Sequence, residues 1–373
     1  VNYKTNLIIF FFLCGLTAAA LAVPGVEVFI PSPDTLIPFS PVVGDLDNDG
    51  HPEIVIAYKA VIHSEGKGRI KVVRKHPDNT VEELWDKSFG RACFTPVIGD
   101  VDGDGIGEIF CNVCFDSSGQ AGVICIEGPT GNVKWSKVVG GYLRYNVGHE
   151  LLLADFDNDG TIEVVSQMNR SGYHEIIAFD ALNGDTVGEP RIDTGEKYAY
   201  ASMACEDIND DGRNELVAAV TQGGTRGDVE VVVWDNTGAE LWRRNGGPPA
   251  VADMDLDGEA EIACGWVQEN IYGYPYHLYV YSGDGELERE FTAILSLSTS
   301  HFHYECPVIA NFDPATPEPE IAFAVNHVSP DNKCRITVKY IDGTTYWRTP
   351  DFAEGEIISM SAADLNCDGI PDL

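Results

Sequence analysis

The sequence predicts an all-β chain folded as a β-propeller of four-stranded antiparallel blades, six of them complete and a seventh truncated. Three observations predict it. A short acidic motif recurs seven times, its first residue falling at Asp45, Asp100, Asp155, Asp207, Asp253, Asn311 and Asp364, so that successive spacings are 55, 55, 52, 46, 58 and 53 residues. Recurrence in register at this period marks stacked supersecondary units. Between the motifs, apolar and polar residues alternate in short runs separated by Gly- and Asn-bearing turns, which reads as antiparallel strands, four to a unit. The fourth run often carries a tryptophan (Trp85, Trp135, Trp242, Trp347), suited to packing one sheet on the next. Four-stranded sheets repeated about an axis make a propeller.

The chain opens on a segment that reads as an address. Lys4 precedes the apolar run LIIFFFLCGL from Leu7, and TAAALA then ends at Ala22 with small residues at Ala20 and Ala22. This is the pattern of a secretory signal peptide over residues 1–22. Its apolar run falls short of the ~20 residues a spanning helix needs, and no later stretch is long enough. The expectation is an exported protein, secreted or periplasmic, with no membrane insertion after cleavage. Residues 23–40 hold one candidate strand, VEVFI from Val26, placed to help close the ring. Residues 41–373 are the propeller. The seventh unit stops as its second strand begins, so a closed ring expects the natural chain to run at least ~40 residues further.

Each unit has the same plan. A first strand (PVVG from Pro41, PVIG from Pro96, LLLA from Leu151) enters the acidic loop, and a second apolar strand leaves it, as at residues 53–57 and 261–264. After a variable polar stretch comes an alternating third strand: RIKVV from Arg69, GVICI from Gly122, EIIAF from Glu175, EVVVW from Glu230, HLYVY from His277 and RITVK from Arg335. A turn and the fourth strand complete the unit.

Charge narrows the partners. Fifty-nine acidic side chains against 24 basic give a net charge of −35, while 44% hydrophobic residues supply a core. Nucleic acid needs clustered Lys and Arg, and an anionic membrane surface would be repelled. The balance suits a protein that holds cations. Ten cysteines become nine once Cys14 leaves with the signal. Cys111 and Cys114 sit in one strand, about 10 Å apart and too far for a mutual disulfide. A hairpin symmetric about the middle of 109–127 would set Cys111 opposite Cys125.

The loops carry the chemistry. The pattern D-x-[DN]-x-D-G-x-x-[DE] puts oxygen ligands at alternate positions of a tight turn, which hard divalent ions with six to eight oxygens require, and Ca2+ fits best. Like charges 4 Å apart repel by about 4 kcal/mol at an effective dielectric of 20, so a loop crowded with carboxylates calls for a cation. The predicted ligands are Asp45, Asp47, Asp49 and Glu53; Asp100, Asp102, Asp104 and Glu108; Asp155, Asp157, Asp159 and Glu163; Asp207, Asn209, Asp211 and Glu215; Asp253, Asp255, Asp257 and Glu261; and Asp364, Asn366, Asp368 and Asp372. The seventh residue of each loop is expected to add its carbonyl. The sixth unit departs: from Asn311 to Glu320 it lacks the third Asp and the Gly and has one residue more, so no metal is expected there. Six Ca2+ would bring −35 to about −23, leaving the loaded protein acidic.

The apolar-G-D-x-D-x-D-G-x-x-E-apolar unit resembles the FG-GAP/VCBS repeat of integrin α-subunit propellers and of many secreted bacterial proteins. The resemblance covers about 41–373. It implies calcium in the loop joining strands one and two, on one face of the propeller. Integrin loops generally end in Asp, whereas five of the six intact loops here end in Glu, closer to the bacterial pattern.

On the opposite face the strand two–three loops and the blade connections gather aromatic residues: Tyr142, Tyr145, Tyr198, Tyr200, Tyr272, Tyr274 and Tyr276, with His301 and His303 nearby. Amphipathic rings beside polar donors suit an extracellular glycan or protein ligand. Catalytic signatures are absent: there is no G-x-S-x-G, H-E-x-x-H or P-loop, and Gly103, Gly105 and Gly107 fall inside an acidic loop with no helix after them. Two functions remain open. One is a non-enzymatic, calcium-stabilised interaction module. The other is a polysaccharide lyase, since rhamnogalacturonan lyases are similar calcium-bearing propellers.

Overall fold

A computed structural model describes residues 7–11, 26–30, 36–60, 67–76, 80–115, 120–142, 151–170, 173–187, 192–193, 198–221, 229–267, 274–295, 306–328, 333–350, 360–362, 364, 370–371 and 373. Within them six antiparallel blades follow in chain order. Blade one has an interrupted inner strand, Leu36–Pro38 and Val42–Gly44, followed by Glu53–Ala60, Arg69–Lys75 and Val81–Ser88. Blade two repeats this with Ala92–Cys93 and Val97–Gly99, then Glu108–Cys114, Gln120–Glu127 and Asn132–Tyr142. Blade three comprises Leu151–Ala154, Glu163–Arg170, Tyr173–Asp180 and the short Ile192–Asp193. Blade four runs Tyr198–Glu206, Glu215–Thr221, Val229–Trp234 and Glu240–Asn245. Blade five is Pro249–Ala252, Glu261–Val267, Tyr274–Tyr281 and Leu287–Leu295, and blade six is Val308–Ala310, Glu320–Val328, Lys333–Lys339 and Thr345–Arg348. Each innermost strand lies against that of the next blade, from 42–44 through to 308–310.

The middle strands of blades two to five read as near-continuous apolar runs because neighbouring blades cover both of their faces. Period-two alternation then deals side chains to the two neighbours in turn. Ile109, Cys111 and Val113 pack with Val55, Ala57 and Ile70 of blade one, whereas Phe110, between them in sequence, packs with Val164 and Phe179 of blade three. The same interleaving joins blades three to four, four to five and five to six.

The tryptophans staple adjacent blades. Trp85 Nε1 donates to the Gly128 carbonyl at 2.7 Å, Trp135 to Ala181 at 2.9 Å and Trp242 to Gly283 at 2.8 Å, each reaching the strand three–four turn of the next blade. That turn must carry glycine: Gly131 has φ +66°, and a Cβ there would come within 2.9 Å of the Trp85 ring. Phe291 takes the tryptophan's place in blade five, under Gly343. Trp347, like Ala362 and Leu373 of the seventh unit, packs against the cluster of Phe312, Ala322 and Val338.

Three expectations are corrected. The strand Val26–Ile30 forms, but its partner is Leu7–Phe11 rather than a blade. Cys111 stands opposite Ile124, and it is Phe110 that faces Cys125, so the two thiols point to opposite faces of the sheet. The turn between these strands is therefore not centred on the midpoint. Cys111 and Cys125 are both buried thiols outside any disulfide. Tyr276 does not belong to an exposed aromatic face: it is buried between blades five and six, stacked on Phe323 with centroids 6.0 Å apart. Among the described residues no helix is long and apolar enough to cross a membrane.

Candidate metal centres

Each acidic loop joins the inner strand of a blade to the second. Its ninth residue opens the second strand and sits in the sheet, so Glu53, Glu108, Glu163, Glu215 and Glu261 are all at most 2% exposed. A buried carboxylate needs donors or a cation. One oxygen of each glutamate accepts the amide of the loop's second residue: Leu46 at 2.9 Å, Val101 at 3.2 Å, Phe156 at 2.8 Å, Ile208 at 3.1 Å and Met254 at 2.6 Å. The apolar second residue anchors this bond; Leu46, Phe156, Ile208 and Met254 are at most 1% exposed.

The first residue holds the turn. Asp45 accepts the amides of Asp49 (3.2 Å) and Gly50 (2.8 Å), Asp155 those of Asp159 and Gly160 (both 3.0 Å), and Asp207 those of Asp211 (3.1 Å) and Gly212 (2.8 Å). The bend puts the fourth residue in the left-handed region (Asn48, Gly103, Asn158, Asp210, Leu256), and the sixth with it, at φ between +84° and +98°. Space around Gly50, Gly160, Gly212 and Gly258 is open, so glycine stands there for backbone conformation rather than for clearance.

This geometry gathers carboxylates. Oxygens of Asp45, Asp47 and Glu53 lie within 4.8 Å of one another, as do those of Asp100, Asp102 and Glu108, of Asp155, Asp157 and Glu163, and of Asp253, Asp255 and Glu261. Two ligands at 2.3–2.6 Å from one Ca2+ stand at most about 5 Å apart, so the triples fit that ion. Asp47 Oδ1 and Asp253 Oδ1 are buried with no hydrogen-bond partner, which a bound cation would remedy. Burial pushes the carboxyls of Glu215 and Glu261 up to about 7 and raises those of Glu53 and Glu163. Asp157 is raised too, by burial first and then by the charges of Asp159 and Asp155.

The fifth-position residues also brace the loop. Asp49, Asp104, Asp159 and Asp257 lie outside the triples and accept the amide of the seventh residue, at 2.9, 2.8, 2.8 and 2.9 Å. Loop four keeps the same turn with an amide in the third position: Asn209 Oδ1 accepts the Asp211 amide at 3.0 Å. Of the last predicted loop Asp364 is described, while Asn366, Asp368 and Asp372 lie outside the described residues.

The sixth loop closes on protein donors. Glu320, fully buried, accepts the amides of Phe312 (2.7 Å) and Asp313 (3.0 Å) and the Thr316 hydroxyl (3.2 Å). The Tyr340 hydroxyl donates to Asp313 at 2.5 Å, and the Asn311 side chain donates to the Thr316 carbonyl at 3.0 Å. The carboxylates of Asp313 and Glu320 are thus taken by protein donors, while Asn311 Oδ1 is buried without a partner.

Two residues that motif spacing does not reveal enter the acidic loops. Arg74 reaches loop one, and Lys134 reaches loop two, where its ammonium holds the Asp102 carboxyl below the usual range. The register pairing Arg74 with Glu53 was the available signal. Of the aromatic and histidine residues expected on the opposite face, Tyr142, Tyr198, Tyr200 and Tyr274 lie in strands whose side chains there are outside the description, and Tyr145, Tyr272, His301 and His303 lie outside the described residues.

Residues 45–111, the span of loops one and two, match the family described as FG-GAP-like repeat. Among solved structures, the rhamnogalacturonan lyase YesW is matched with a TM-score of 0.52 at 15% identity, over 90% of this chain and 60% of that one. The exotype rhamnogalacturonan lyase YesX is matched at 0.48 and 15%, over 84% and 65%, and the V. cholerae biofilm matrix protein Bap1 at 0.46 and 15%, over 85% and 62%. The chain thus spans less than two thirds of each of these proteins. At 15% identity the likeness to YesW is one of fold, which here is all-β with four-stranded antiparallel blades. No curated protein matches the chain.

Proposed function

We propose that the chain is an exported, calcium-stabilised FG-GAP propeller that acts as a non-enzymatic interaction module for a glycan or protein ligand outside the cytoplasm. The observation that carries this reading is the convergence of carboxylates around a buried glutamate in four loops. Those acids are committed to shaping the loops: each glutamate binds a backbone amide, and each first aspartate caps the turn. Ca2+ held there would lock the inner strand to the second strand and leave the opposite face free for recognition. The negative net charge supports a partner other than nucleic acid.

The test incubates the full chain with acidic and neutral polysaccharides in calcium and follows polymer length by size-exclusion chromatography. Polymer of unchanged length is expected, co-eluting with the protein where that glycan is the ligand. Shortened polymer would overturn the reading in favour of a polysaccharide lyase, the class to which YesW belongs.

A further inference from the structure

Five acidic loops share one backbone turn, yet they differ in what stands beside their carboxylates. In loop one the Arg74 guanidinium touches three of them: Nη2 lies 2.9 Å from Asp47 and 2.5 Å from Glu53, and Nη1 lies 3.0 Å from Asp49. Pairing of Arg74 directly across the hairpin from Glu53 puts it there. In loop two Lys134 Nζ lies 2.7 Å from Asp102 and 2.8 Å from Glu108. Asp47 with Glu53, and Asp102 with Glu108, belong to the converging triples, so each basic group bonds oxygens that a metal would take. Loops three and five receive no ion pair from a basic side chain among the described residues. Across from Glu163 stands Asp180, another acid. In loop five Asp253 Oδ1 is buried without a partner.

We infer that Arg74 and Lys134 are tethered counter-cations that grade the calcium loops: three and five fill first, and one and two fill only at higher calcium. An ion entering loop three or five meets carboxylates that repel one another until it arrives. An ion entering loop one or two meets oxygens already bonded to a cation whose local concentration is fixed by its own strand. It must displace that group or share the oxygens with it, and like charges a few ångströms apart oppose sharing. Arg74 weakens loop one without sealing it, because Asp47 Oδ1 stays buried and unpartnered beside it. The consequence is a division of labour. Loops one and two keep their shape when calcium falls, while loops three and five depend on the ion and report its withdrawal.

The inference rests on the reading of these loops as calcium sites, and the experiment separates the two. Equilibrium dialysis of the full chain against calcium should give two classes of site, the weaker by roughly tenfold or more. R74Q should move one site from the weak class to the tight class, K134Q should do the same, and the double variant should move both. R69Q serves as control, since Arg69 pairs with Asp86 at 2.6 Å away from the loops. Hydrogen exchange of the loop amides across the same titration needs no variant. Protection of 155–163 and 253–261 should be low without calcium and rise at low concentration, whereas protection of 45–53 and 100–108 should already stand without calcium and increase further only at higher concentration. A single class of sites, simultaneous protection, or variants that bind like the parent would overturn the grading alone. A chain that takes up no calcium would overturn the metal reading as well.

Discussion

The glutamate that ends each loop accepts a backbone amide, and in four of the five loops it also lends an oxygen to a converging carboxylate triple. Its burial sets the behaviour of the calcium-free protein with pH. Glu215 and Glu261 are pushed up to about 7, above the 4.5 of an ordinary glutamate. A carboxyl raised on folding binds its proton more tightly in the native state, so its contribution to stability is full below about 4.5 and is lost as pH rises to about 7. In chelator the protein should therefore melt at a higher temperature at pH 5.5 than at pH 7.5, and the E215Q/E261Q double variant should lose much of that difference. Melts that rise with pH instead would refute the burial argument. In calcium the order should reverse, because protons compete for the same oxygens. The motif alone made these glutamates legible as ligands, since alternate oxygen positions follow from spacing. Arg74 was not legible that way, because its place depends on hairpin register across a variable stretch.

At the scale of the element, the loop and the blade edge make separate predictions. D102A should cost about one bound calcium, whereas D313A should cost none, because Tyr340 already satisfies Asp313. Atomic absorption on dialysed protein checks this, and equal losses would show that the sixth loop binds metal after all. At the blade edge, Trp85 is 8% exposed and its Nε1 bonds the next blade. W85A should destabilise by about 3–5 kcal/mol through the cavity it leaves, and W85F by about 1 kcal/mol through the lost hydrogen bond. Urea unfolding of both variants measures the gap, and equal costs would mean that the bond rather than the packing dominates. The four-strand plan could be read from alternation because blades two to five each lie between two others and show a regular period. Cys111 and Cys125 were misplaced because a one-residue shift in the turn sends a side chain to the other face, and composition does not specify that shift.

At the scale of the whole molecule, a net charge of −35 raises the question of whether calcium acts at sites or merely as a counter-ion cloud. Distance separates these. Charges spread over the surface interact across a Debye length of about 8 Å at physiological salt and are screened by any electrolyte. Carboxylate oxygens within 4.8 Å of one another around a buried glutamate are closer than that length and partly shielded from solvent. Monovalent salt cannot neutralise them, whereas an ion that binds only the native state stabilises it by mass action. Chelation at low salt should lower the melting temperature markedly. Adding 1 M NaCl to the chelated protein should recover only a minor part of the loss, while millimolar calcium should recover all of it and magnesium, with its demand for tight octahedral geometry, much less. Scanning calorimetry under the four conditions decides the matter. Full recovery by NaCl would make the acidity a matter of general repulsion and leave the loops without a specific ion. Recovery by calcium alone would make the propeller's stability a function of the calcium around it.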